Sequence, residues 1–316
     1  MKRTLNKMEK QSKGRSRPIP DAKTTKEIAS KLEEALNNES QFVCNYSDRK
    51  PWEVTMSARD GAVHVMRFLE VWFDLPQTVF FTAVSYLDMF LARMKVQEKF
   101  LPCLTVSCFN VAAADHSFKI NTSHLVMLSQ SKCSVKDMER MSTIITQKLN
   151  LKNGNCCTAL DLLKVYIDIF RFIAMQFKSE VLLNRMLQWQ QLCTRLEVLI
   201  SDSSCACFKP SVLALAFVHF EVERFMSREV PRKSNYYSME MFYVLAVMIE
   251  LRSLCNIKSK DYGLCFEMVT KVLKEYDSRK RTKHSQKLTW RFSTSTHALS
   301  KYTQNYYSML NTIKEE

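Results

Sequence analysis

Apolar residues recur at helical spacing along most of this chain, and almost nothing interrupts them: 316 residues contain only 4 Gly and 7 Pro. Sandwiches and barrels need glycine at their turns and bends, and loops that cradle phosphate need it too. Long periodic segments with so few turn residues predict an all-helical protein. The length suits about two domains of ~150 residues each.

Eleven Cys could serve a disulfide framework in a secreted chain. The opening residues, MKRTLNKMEKQSKGRSRPIP, hold no apolar core of a secretory signal. Cys103, Cys108, Cys193 and Cys265 fall inside apolar helical segments, where Cys acts as a small hydrophobe. Reduced thiols and a nuclear and cytoplasmic location are therefore expected. The longest apolar runs, 212–218 and 243–249, are far shorter than the ~18 residues of a membrane span, so no membrane association is expected.

The order of elements can be read directly. Residues 1–22 are basic and without apolar periodicity, which predicts disorder. TTKEIASKLEEAL predicts a helix with Thr24 and Glu27 as a capping box. Five helices are then expected at 57–73, 76–94, 101–114, 123–130 and 134–149, with Ser57, Asp60, Ser134 and Asp137 as start signals and Pro76 at a first helical position. Residues 150–155 read as a linker. A second set of five is expected at 159–177, 181–202, 210–226, 238–256 and 258–276, opened by Thr158 and Asp161. FLPCLTVSCF (residues 100–109) and FKPSVLALAF (residues 208–217) place Phe, Pro and Phe at identical spacing at the start of the third helix in each set. Together with the shared count, that spacing suggests a duplicated helical domain. The domains expected are 1–22, 23–155, 156–277 and a basic, aromatic tail, 278–316.

One carboxylate sits where an apolar residue belongs. Asp88 shares a helical stripe with Phe81, Val84 and Leu91. A buried carboxylate without a partner costs several kcal/mol. Arg59, in the preceding helix, is the candidate partner across a short turn. The alternative is that Asp88 faces water, as most Asp do.

The stretch LDMFLARMKVQEKFLPCLTVSCFNVAA resembles the cyclin box, in which an L-D-R-F-L motif leads through a short loop into a buried third helix. With ARDGAV, KPSVLALAFVHFEVE and QKLTWRF, the chain resembles the atypical G-type cyclins, and next to them the I-type, over about residues 57–307. The resemblance implies two five-helix cyclin folds in tandem and a structural Arg59–Asp88 pair. It implies a role in cell-cycle control, with a cyclin-dependent kinase, a regulatory subunit of phosphatase 2A, or both as partners. Activating cyclins carry a Lys at the end of the third helix and a Glu in the fifth, both facing the kinase. Aligned on SCFNVAAA and RMSTII, those positions are Ala114 and Ser142, with Lys119 and Glu139 near but out of register. The family's Met-Trp-Glu patch for R-x-L peptides aligns with Ala58, Val65 and Phe68, and the Arg of L-D-R-F-L with Met89. A strong kinase clamp and a substrate dock are thus not expected.

No catalytic motif is present: no glycine-rich phosphate loop, no G-x-S-x-G, no H-E-x-x-H. Cys205-Ala206-Cys207 and Cys156-Cys157 lack the two-residue spacer of a zinc pair. No enzyme activity, cofactor, metal or small-molecule substrate is expected. The net charge is +14, and much of it lies at the ends. Arg279, Lys280, Arg281 and Lys283 form a basic run near the C-terminus, read either as a solvated tail or as an import signal. QKLTWRFSTSTHALSKYTQNYYSML mixes cations with aromatics, which would either pin the tail to the helical body or stack on single strands. Cyclin folds also occur in general transcription factors, so contact with nucleic acid or chromatin is the alternative function.

Overall fold

The structure is a computed structural model, and it describes residues 22–39, 54–151, 156–177, 179–229 and 238–281. Among the described residues the regular elements are helices, with no β-strand. A first helix, α1 (Ala22–Glu39), precedes α2 (Met56–Trp72), α3 (Gln77–Arg93), α4 (Leu101–Asp115), α5 (Thr122–Ser129) and α6 (Val135–Leu149). A second series follows: α7 (Ala159–Phe177), α8 (Glu180–Met186), α9 (Trp189–Ser201), α10 (Ser203–Ala206), α11 (Pro210–Glu229), α12 (Ser238–Leu254) and α13 (Ser259–Arg281). The described residues through Asp277 form one compact unit. Disorder was expected for residues 1–22, of which Ala22 is helical and residues 1–21 lie outside the described residues, as do most of the linker (152–155) and most of the C-terminal tail.

Each series is built around a helix that is apolar on nearly every side. In the first that helix is α4, which packs against α2, α3, α5 and α6. In the second it is α11, which packs against α1, α7, α8 and α12. A helix surrounded by others needs no polar face, and the sequence of α4 has none. The repeated Phe-Pro-Phe spacing has a structural meaning here. Pro102 falls in the first turn of α4 and Pro210 opens α11. Phe109 and Phe217 are each 0 % exposed at matching depths of the two central helices.

Several start signals shift. Thr55, not Ser57, caps α2: its backbone is extended (φ −72°, ψ 159°) and its Oγ1 accepts from Ala58 N at 3.1 Å. Asp60 therefore lies within the helix and is used elsewhere. Pro76 is the residue before α3 rather than its first residue. α1 begins at Ala22, which puts Thr24 inside the helix instead of at its cap. Ser134 and Asp137 do form a reciprocal capping box at the start of α6, and Thr158 and Asp161 do the same before α7.

The helix expected at 181–202 is two helices. Leu187 and Gln188 leave helical geometry, with ψ of 72° and 112°. No glycine or proline marks the break. Leu182, Met186, Trp189, Cys193, Leu196 and Ile200 keep one helical phase straight across it. Leu182, Leu183, Met186 and Leu187 are all buried, so tertiary packing of α8 wins over local propensity.

Candidate functional site

Two sets of side chains decide what this body can do: a buried ionic seam that fixes its shape, and a rim on the first series where the resemblance places partner contacts. The seam begins at Arg59, which is 0 % exposed. Its Nε donates to Asp88 Oδ1 at 2.9 Å and its Nη2 to Oδ2 at 2.7 Å, a bidentate fork between α2 and α3. Asp88 is 5 % exposed. The guanidinium also reaches out of the first series: Nη1 donates to the carbonyl of Ile200, in the last turn of α9, at 2.8 Å.

Neighbouring residues repeat that bridge. Asp60, beside Arg59 at 3.2 Å, accepts from Ser203 Oγ at 3.0 Å. Burial pushes the Asp60 carboxyl up, against the lowering pull of Arg59 and Ser203. Glu197 on α9 is buried and takes a bond from Gln77 Nε2 at 2.6 Å and an ion pair from Arg67. The two series are thus joined by polar groups that would be costly to strand.

The second series has a cluster of its own. Arg195 on α9 donates from Nε to Glu221 Oε1 on α11 at 2.6 Å, and from Nη1 to Asp277 Oδ1 on α13 at 2.6 Å. Arg224 holds the other Glu221 oxygen, with Nε 2.9 Å away. Arg195 and Glu221 are both buried. This cluster escaped the sequence reading, although its signal was the one that exposed Asp88. Arg195 interrupts the Leu192, Leu196, Leu199 stripe, and Glu221 lies between Phe220 and Val222.

The rim is formed where α4 ends and by α6, which packs against it. Ala114 is exposed, so a methyl group stands where the resemblance puts a Lys in activating cyclins. Asp115 follows, accepting from Tyr86 OH at 2.5 Å, and His116 Nε2 lies 2.9 Å from Thr82 Oγ1. Burial and the Asp115 carboxylate push the Tyr86 hydroxyl well above its ordinary pKa, so it stays a donor. The chain then turns at Ser117 (φ 65°), leaving Phe118 and Lys119 exposed. On α6, Glu139 is exposed and Ser142 is half-buried. Ser142 Oγ is shielded from solvent and has no hydrogen-bond partner among the described residues. Glu139 lies on α6 with Ser142 and Lys119 in the loop that follows α4, and neither takes the position of Ala114 or Ser142. Arg279, Lys280 and Arg281 close α13 in backbone terms, but their side chains and all of Lys283 lie outside the described residues.

Among the described residues no group of three or more His, Cys, Asp and Glu is placed to hold a metal ion. No described helix is long and apolar enough to cross a membrane.

Residues 27–152 match the family described as Cyclin, N-terminal domain. The chain is 30 % identical to Cyclin G of Drosophila melanogaster over 83 % of its own length, but that alignment spans only 46 % of the fly protein. It is 31 % identical to Cyclin-G2 of Mus musculus, with 81 % of this chain and 70 % of the relative aligned. With Cyclin-G1 of Rattus norvegicus the identity is 29 %, over 83 % of this chain and 84 % of the relative. The solved structure of a viral cyclin from herpesvirus saimiri superposes with a TM-score of 0.56 at 17 % identity, covering 79 % of this chain and 99 % of the viral one. That likeness shows a shared all-helical fold.

Proposed function

This chain belongs to the cyclin family, among its G-type members, and from that footing we propose that it is a regulatory protein of cell-cycle control with no chemistry of its own, which binds a cyclin-dependent kinase, a regulatory subunit of phosphatase 2A, or both. The observation that carries the reading is the rim. Ala114 and Ser142 occupy the positions where, by the resemblance, activating cyclins present Lys and Glu to a kinase. An exposed methyl and a shielded hydroxyl cannot make those charge-assisted contacts, each worth ~1.5–3 kcal/mol. The surface therefore suits association, scaffolding or partner placement better than strong kinase activation. The rigid seam supports the same role, because it presents both helical series as one surface.

Location in both nucleus and cytoplasm is part of this proposal, with Arg279, Lys280, Arg281 and Lys283 as the import signal. Affinity purification from dividing cells tests the whole reading. A cyclin-dependent kinase or a phosphatase 2A regulatory subunit should dominate the specific partners. Recovery of chromatin instead, with salt-sensitive DNA binding by the isolated helical body, would favour the nucleic-acid alternative.

A further inference from the structure

α12 is an apolar helix without the surroundings its sequence calls for. From Phe242 to Ile249 it carries no charge. α4 and α11 have the same character because each is packed against four other helices. α12 packs against α7 and α11, and of its described side chains only Met248 and Leu251 are buried. Val244 and Val247 lie on the same side as those two and line an apolar groove with Phe170 and Phe177. Tyr243 stacks on Phe177, with ring centroids 3.9 Å apart. That side of α12 is seated on its own fold. The opposite side is formed by Phe242, Ala246 and Ile249, at i, i+4 and i+7. Phe242 is 60 % exposed and Ile249 72 %, so two large apolar side chains point outward from two turns of one helix.

We infer that this face of α12 binds a second copy of the chain, the two helices meeting antiparallel about a twofold axis beside Ala246. Phe242 of each copy then stands against Ile249 of the other, and the small Ala246 between them lets the backbones approach. The order large, small, large is its own complement under that axis. The stripe is uncharged, so nucleic acid or an acidic peptide would gain nothing from it. The two copies do not repel there either. Residues 156–277 hold 15 Lys and Arg against 14 Asp and Glu, so nearly all of the chain's +14 charge lies elsewhere. Two helical turns fall short of the ~1,600 Å² of a standard interface, which sets a weak, reversible dimer with a Kd of about 10–100 µM.

Sedimentation velocity of the full chain tests this. Between about 1 and 300 µM the monomer should pass to a dimer, with its half-point inside that range. Ile249→Glu sets a carboxylate against a phenyl ring and should weaken the dimer about tenfold or more. Phe242→Lys should do the same. Combined in one chain, the two changes bring opposite charges together across the axis twice, and dimerisation should return toward that of the unmodified chain. Such a return separates a lost contact from a lost fold, and both positions are exposed enough for the urea midpoint to stay close to its original value. A chain that stays monomeric over the whole range would overturn the inference and leave α12 to a different partner. So would a dimer that Ile249→Glu does not weaken, which must sit on another face, or a double variant no better than the single ones.

Discussion

Arg59 carries more than a single ion pair. Its three nitrogens donate to a carboxylate of α3, a backbone carbonyl of α9 and Asp60 of its own helix. Removing it leaves Asp88 as a buried charge and Ile200 with an unmet carbonyl. Arg59→Ala should therefore destabilise by about 3–5 kcal/mol in urea unfolding. Lys is no substitute, because a single ammonium cannot reproduce the fork and the third bond. A double-mutant cycle with Asp88→Ala should show coupling of about 1–3 kcal/mol. Additive effects in that cycle would mean the pair contributes nothing beyond its two separate burials. Asp88 was legible because a charge interrupting an apolar stripe must be answered. Its partner on α2 followed from a short turn. The carbonyl of Ile200, 141 positions away, was not legible. A backbone group carries no sequence signal, and only the packed fold places it.

At the scale of elements, two helices depend on polar anchors rather than on area alone. α1 lies on the second series, against α7 and α11. Its last residue, Glu39, accepts from Ser211 N at 2.5 Å and from Ser211 Oγ at 2.8 Å, placing a carboxylate at the positive start of α11. Glu39→Ala should weaken docking of α1 by about 1–2 kcal/mol, which raises its open population roughly 5–30-fold. Limited proteolysis within 22–39 should accelerate accordingly, and an unchanged cleavage rate would show that α1 is held by its apolar face alone. α13 is anchored through Asp277. Burial would raise that carboxyl, but the hydrogen bonds and charge of Arg195 outweigh it and hold the pKa below the ordinary value. A carboxylate depressed in the folded state stabilises fully above the unfolded pKa of ~3.9 and loses that contribution as pH falls through the folded value. Asp277→Asn should thus cost about 1–2 kcal/mol from pH 7 to 5, with the gap to the unmodified protein closing below about pH 4. A gap that stays constant down to pH 3 would assign the loss to shape. Helix order, and the number of helices in the first series, were readable from period and caps, whereas the second series has seven described helices where five were expected. The break between α8 and α9 was not, because the apolar phase runs through it unbroken.

The whole molecule combines a stiff body with a chemically muted rim. Arg59, Asp60, Gln77 and Arg67 each bond α9 or α10, so the first series cannot rotate against the second without stranding buried charge. A kinase meeting this surface meets one preformed shape. What a partner gains from that shape depends on differential contacts, since a ligand shifts an equilibrium only by its difference in affinity for the two states. On the proposed reading, Ala114 and Ser142 standing in place of Lys and Glu remove two such differences, and the shielded Ser142 hydroxyl offers nothing in their place. The purified protein should accordingly bind a cyclin-dependent kinase with little stimulation of its activity. Ala114→Lys combined with Ser142→Glu should raise stimulation, and each change alone should do less, because the two contacts would grip one conformation together. Ala114 is exposed and accepts the longer side chain freely, whereas Ser142 is half-buried and its Glu must turn outward. If the unmodified protein already drives the kinase as an activating cyclin does, the grip resides elsewhere on the rim. Lys119, exposed in the loop after α4, and Glu139, exposed on α6, are then the residues to replace.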